Sequence, residues 1–154
     1  MKPMSRRRAR EIALQVLYSI DANSDVDPKS ALAFYFDRFA AEEREDDAPE
    51  AEAEAGPVDQ SFVETLVREV SERRGEIDDL LGQLSRNWRI ERIARVERTI
   101  LRMALYELKF RDDIPARVTI NEAIELAKRF GSADASAFVN GLLDSALTTL
   151  GIKK

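Results

Sequence analysis

The sequence predicts an all-α protein of about seven helices, and three observations carry that expectation. Every periodic apolar segment repeats at three to four residues rather than at two. Only 6 Gly and 5 Pro punctuate the 154 residues, too few for a many-turned β fold. At 44% hydrophobic, the chain has enough apolar side chain for the core of one domain.

The first helix is expected from about Ser5 to Asp21, with Ala9, Ile12, Ala13, Val16, Leu17 and Ile20 on one stripe. Arg7, Leu14 and Tyr18 fall on a neighbouring stripe, with Arg10 close by, and that stripe is not purely core-like. A second helix starts at Asp27 and Pro28. Asp can cap, and Pro suits the first helical position because its missing N–H would go unpaired there. Leu32, Phe36 and Phe39 give this helix an apolar face, with Tyr35 beside it. Residues 40–57 (AAEEREDDAPEAEAEAGP) have no apolar period and end at Gly-Pro. Between 42 and 54 eight acids stand against Arg44, a balance of −7. The stretch reads as a flexible acidic linker at about 42–57, with some frayed helix left open, because nothing in it repays the entropy of ordering.

Asp59 is placed to cap a third helix carrying Phe62, Val63, Leu66, Val67 and Val70, and a short fourth helix carries Ile77, Leu80, Leu81 and Leu84. The fifth is expected over Glu91 to Phe110. Ile93, Val96, Ile100, Met103 and Ala104 form one of its faces, and Leu101, Leu105 and Leu108 another. A helix apolar on two faces belongs at the centre of a bundle. Pro115 breaks the chain, and Thr119 to Glu122 reads as a capping box opening the sixth helix, which ends at Gly131. The seventh begins near Asp134 and carries Phe138, Val139, Leu142, Leu143, Ala146 and Leu150. There is no internal repeat.

Composition removes several function classes. There is no cysteine and no histidine, which excludes disulfides, the commonest zinc sites, and Ser–His or Cys–His catalysis. The pairs Asp78–Asp79 and Asp112–Asp113 are adjacent in sequence and point apart, so neither resembles an acid/base site. Without a Gly-rich phosphate loop as well, neither an enzyme nor a cofactor is expected. No apolar run approaches the roughly 20 residues of a membrane helix. The segment after the basic N-terminus is amphipathic and charged, unlike a signal peptide. Absence of Cys fits a cytoplasmic protein.

The net charge of −5 conceals an asymmetry: residues 1–20 hold five basic residues against Glu11, a balance of +4. Lys2, Arg6, Arg7, Arg8 and Arg10 crowd the start of a helix, where the dipole disfavours cations and the arginines repel one another. Local stability does not account for the cluster. An anionic partner does, and nucleic acid fits best because the guanidinium fork matches phosphate. An acidic surface or membrane, or a merely solubilising end, are the other readings. Phe138, in Ala-Phe-Val-Asn-Gly, is either a core aromatic or a stacking platform for an unpaired base. Phe130 has the same two readings, and Tyr18 is either a core-edge residue or an anchor for a protein partner. Glu97, one step past Val96, is expected at the helix surface.

The segments Arg6 to Glu11 (RRRARE), Ala13 to Tyr18 (ALQVLY), Val96 to Leu108 (VERTILRMALYEL), Ile120 to Gly131 (INEAIELAKRFG) and Phe138 to Gly141 (FVNG) together resemble the NusB family in order and spacing. The resemblance spans about residues 1–38 and 58–150. It implies a NusB-like fold of two packed helical bundles in a single RNA-binding domain. It also implies a transcription antitermination factor that binds boxA-type single-stranded RNA in nascent transcripts of ribosomal RNA operons. The implied partners are NusE, a small-subunit ribosomal protein, and the RNA polymerase antitermination complex. Monomers and homodimers both occur in such a family. Carried over by position, Lys2, Arg6, Arg7 and Arg10 would contact RNA, with Asp134 and Phe138 lining the same RNA surface, while Tyr18 and Glu97 would meet NusE. Two features depart from the family pattern. The acidic stretch is longer and more acidic, and Ala137 stands at an often basic position before Phe138. Two rival readings use the same fold: a helical protein-interaction adaptor without RNA binding, and the RNA-recognition module of a ribosomal RNA methyltransferase. The second would need a cofactor-binding α/β domain beyond Lys154.

Overall fold

The computed structural model describes residues 5–23, 25–43, 58–85 and 89–153. Among them lie seven α-helices, no strand, and one isolated parallel β-bridge between Ser5 and Val58. The helices are α1 (Arg6–Ala22), α2 (Pro28–Glu43), α3 (Gln60–Glu72), α4 (Arg74–Leu84), α5 (Arg95–Phe110), α6 (Ala116–Phe130) and α7 (Ala135–Leu150). The chain forms two compact units, Met1–Arg68 and Glu69–Lys154, and the division falls inside α3. Lys2 and the core of the acidic stretch lie outside the described residues. No helix among the described residues is long and apolar enough to cross a membrane.

In the first unit α1 and α2 pack together. Ser5 opens α1 as its cap, its Oγ accepting the Arg8 amide at 3.2 Å. Ala9, Ile12, Ala13, Val16 and Leu17 of the expected stripe are buried, together with Leu14. Asp27 caps α2 by accepting the Ser30 amide and hydroxyl, each at 2.8 Å, and these bonds hold its carboxyl below the usual range. The expected apolar face of α2 is only partly realised: Ala31 is buried, whereas Leu32, Tyr35 and Phe36 are half-buried. Phe34 is 61% exposed and meets Tyr35 edge-on. Asp59 caps α3 by accepting the Phe62 amide at 3.0 Å, as its position predicts.

In the second unit α5 packs against α4, α6 and α7. Every residue from Thr99 to Leu108 is buried. The two-faced apolar pattern therefore does mark the central helix, but burial extends round its polar residues too. Each is answered by a hydrogen bond. Thr99 donates to the Arg95 carbonyl at 2.7 Å. Arg102 forks onto both oxygens of Asp78 at 2.8 and 3.0 Å.

Two expectations about helix starts need correction. The fifth helix does not run unbroken from Glu91: a 3-10 turn over Ile90–Arg92 is separated from α5 by Ile93 and Ala94, both extended. The apolar period crosses this break because Ile93 is buried from an extended residue as well as it would be from a helix. The capping box at Thr119 is not formed either. Pro115 occupies the cap position of α6, its carbonyl accepting the Val118 and Thr119 amides, so the helix is already under way at Thr119. The Thr119 hydroxyl instead donates to Glu107 Oε1 at 3.1 Å, and both residues are 2% exposed. Thr119→Val keeps the shape and removes this donor beside a buried carboxylate. We expect it to destabilise the protein by about 1–3 kcal/mol in urea unfolding, whereas a surface hydroxyl lost at the same cost would be unexplained.

Candidate nucleic-acid interface

In the first unit the starts of α1 and α3 are tied together. The Ser5 carbonyl accepts the Ala9 amide of its own helix and, at 3.4 Å, the Asp59 amide at the head of α3. With the Ser5–Val58 bridge, this sets two helix N-termini side by side. The expected RNA contacts Arg6 and Arg7 are exposed there. Arg6 Nε stands 4.0 Å from Asp59 Oδ2, and its side chain remains 48% exposed. Arg10 differs. It is only 4% exposed, with its guanidinium 5.0 Å from the centre of the Phe62 ring. A direct phosphate contact, as the resemblance implies for Arg10, does not suit a side chain so enclosed. The Arg6 guanidinium lies 4.9 Å from the same ring. Tyr18, further along α1, is 38% exposed, as either a core-edge residue or an anchor for a partner would be.

In the second unit Glu97, Asp134 and Phe138 line one cavity of about 200 Å³, with Ile93, Ala94 and Ala135 among its other walls. Phe138 is half-buried and also lines a larger groove of about 710 Å³ along α7, beside Gly141 and Ser145. A ring bordering two depressions is neither a closed core residue nor a freely moving surface one. Asp134 is exposed at the cap of α7.

Glu97 is not at the surface, contrary to the expectation from its position beside Val96. It is 6% exposed and accepts from Ser132 Oγ at 3.0 Å and from the Ser132 amide at 3.4 Å. Val96 is only half-buried, so the inward direction of α5 at its first turn is one residue later than the apolar letters suggest. Through Ser132, Glu97 holds the α6–α7 turn that leads to Asp134 and Phe138. Residues missed in the sequence are therefore Ser132, which anchors this turn, and Phe62, which touches two arginines. The spacing of Arg6 and Arg10 by four held the clue to Phe62, since it puts both on one side of a helix. No group of His, Cys, Asp and Glu among the described residues could hold a metal ion.

The fold and these two patches define an all-helical binding protein with an arginine-bearing helix start and an aromatic at a cavity mouth. A family model described as the NusB family matches residues 7–148. The chain is 49% identical over 147 residues to the transcription antitermination protein NusB of Geobacter sulfurreducens, covering 95% of this chain and 96% of that one. It therefore belongs to the NusB family. A solved T. maritima NusB aligns with a TM-score of 0.77 at 32% identity, over 96% of this chain and 93% of that one. A structure of antitermination factors NusB and NusE in complex with dsRNA aligns with a TM-score of 0.73 at 24% identity, over 94% and 96% respectively, a likeness of fold.

The tight turn before α7 gives a direct test of this geometry. Gly131 has an ordinary extended backbone, so space and not φ is the constraint. A Cβ there would meet Ala135 Cβ at 2.6 Å and the Ala127 carbonyl oxygen at 2.8 Å. Gly131→Ala should cost about 1–3 kcal/mol and perturb amide resonances from Ser132 to Phe138. Unchanged stability and spectra would show that the turn yields freely.

Proposed function

We propose that this chain is a transcription antitermination factor that binds boxA-type single-stranded RNA in nascent ribosomal RNA transcripts, together with NusE. It acts in the cytoplasm by binding, without a catalytic step, within an RNA polymerase antitermination complex. The observation that carries the reading is the exposed pair Arg6 and Arg7 at the start of α1. A helix N-terminus repels cations, so their placement is repaid by an anionic ligand. Support comes from family membership and from Phe138, whose partly open ring suits stacking on a splayed base. Lys2 adds to the basic end by its place in the sequence, and Asp134 borders the cavity mouth beside Phe138. Arg10 acts from beneath, as packing.

Two physically distinct contributions follow. Phosphate neutralisation depends on salt, whereas stacking does not. If roughly four phosphates are met, log K should fall against log salt with a slope near −3. Replacing Arg6 or Arg7 by Ala should weaken every RNA sequence and flatten the slope by somewhat under one unit. Phe138→Ala should cost about 1–3 kcal/mol of binding and leave the slope nearly intact. Normal boxA RNA binding by an Arg6, Arg7 double Ala variant would remove both arginines from the interface, and failure of the parent itself to bind boxA RNA would discard the RNA reading in favour of a protein-interaction adaptor.

NusE is proposed to meet Tyr18 in the first unit and the region of Glu97 in the second, where Glu97 acts through the α6–α7 turn that it holds by Ser132. Tyr18 is already exposed, so Tyr18→Asp should fold normally. A charge forced into the contact should weaken NusE binding about tenfold or more. Full NusE binding by the folded variant, measured calorimetrically, would remove Tyr18 from the interface.

A further inference from the structure

Phe62 sits three residues into the capped turn of α3 and is 4% exposed. Burial alone asks only for an apolar side chain there, and Val63, Leu66 and Val67 of the same helix meet that demand without a ring. The ring has a more specific setting. The guanidinium carbons of Arg6 and Arg10 lie over it at 4.9 and 5.0 Å from its centre. Two like charges four residues apart on a helix repel, and both lie in the first turns of α1, where the dipole adds to the cost. An aromatic face attracts each of them through its quadrupole, as an aliphatic side chain does not.

We propose that Phe62 is a positioning residue for RNA binding, its ring holding Arg6 in place for phosphate while Arg10 packs beneath. The proposal rests on the RNA-binding reading above. The tie from Ser5 to Val58 and Asp59 fixes where α3 begins relative to α1, and so where the ring stands. Arg6 then has an aromatic face on one part of its guanidinium and the Asp59 carboxylate 4.0 Å from Nε, with about half of the side chain still open to solvent. A long side chain held in this way loses less freedom when it meets phosphate, which is how preorganisation raises affinity.

The test uses the full chain and a labelled single-stranded boxA RNA, titrated at several salt concentrations and at a temperature where each variant is folded. Phe62→Leu keeps an apolar core residue and removes the ring, and Phe62→Tyr keeps the ring. Phe62→Leu should weaken binding about 3- to 5-fold and flatten the salt slope, while Phe62→Tyr should stay within about twofold of the parent. Arg6→Ala combined with Phe62→Leu should bind no worse than Arg6→Ala alone, because both act through one guanidinium. Equal affinities and slopes for the parent and Phe62→Leu would overturn the proposal, as would equal losses from Leu and Tyr. If the parent does not bind the RNA, the RNA-binding reading falls; if the parent binds and Arg6→Ala has no effect, the proposal falls while that reading stands. In the parent, ring-current shifts of the Arg6 side-chain protons should be seen by NMR. Their absence would overturn the proposal whether or not any variant folds.

Discussion

The second unit depends on the burial of α5 around its whole circumference. Three helices pack on it, and ten consecutive residues, Thr99 to Leu108, have no access to solvent worth counting. Such a helix can carry a polar side chain only if something inside the protein answers it, because an unanswered buried group costs more than most single contacts return. The partners come from α4 for Arg102 and from α6 for Glu107, so each polar group also fixes where its neighbour lies. At the first turn of α5 the same requirement is met by Glu97 and Ser132. The cavity mouth at Phe138 thus inherits its geometry from the way a central helix disposes of its charges.

The first unit solves a different problem. It must hold cations where a helix dipole and their own repulsion oppose them. The solution combines a carboxylate that is already committed as a cap, Asp59, with an aromatic ring, Phe62. Arg10 can sit almost wholly enclosed because a guanidinium is planar, weakly hydrated and able to lie against a ring.

Much of this was legible in the sequence. The stripe of α1, the caps at Asp27 and Asp59, the central place of α5 and the end of α6 at Gly131 follow from periodicity and local hydrogen-bonding chemistry, which are properties of short segments. What was not legible depends on residues far apart in the chain. Thr119 looks like a cap until Glu107 is brought beside it, and Glu97 looks exposed until Ser132, thirty-five residues later, is folded onto it. Arg10 stands beside an apolar stripe in the sequence, and only the fold shows it enclosed with its guanidinium against the Phe62 ring. Of the candidate site, the arginines and Phe138 stood out by residue type and position. The supports that hold them did not, since a buried phenylalanine and a turn serine have no local signature of such a role.

Each unit is one uninterrupted stretch of chain, and this bears on how the protein comes into being. Helices packed on near neighbours in sequence close short loops and assemble quickly, and units generally acquire structure in the order in which they are synthesised. On a translating ribosome the stretch up to Arg68 emerges before Phe138 has been made. The arginine-bearing helix start can therefore be in place while the rest of the chain is still being built, and the newborn protein shows its basic surface first.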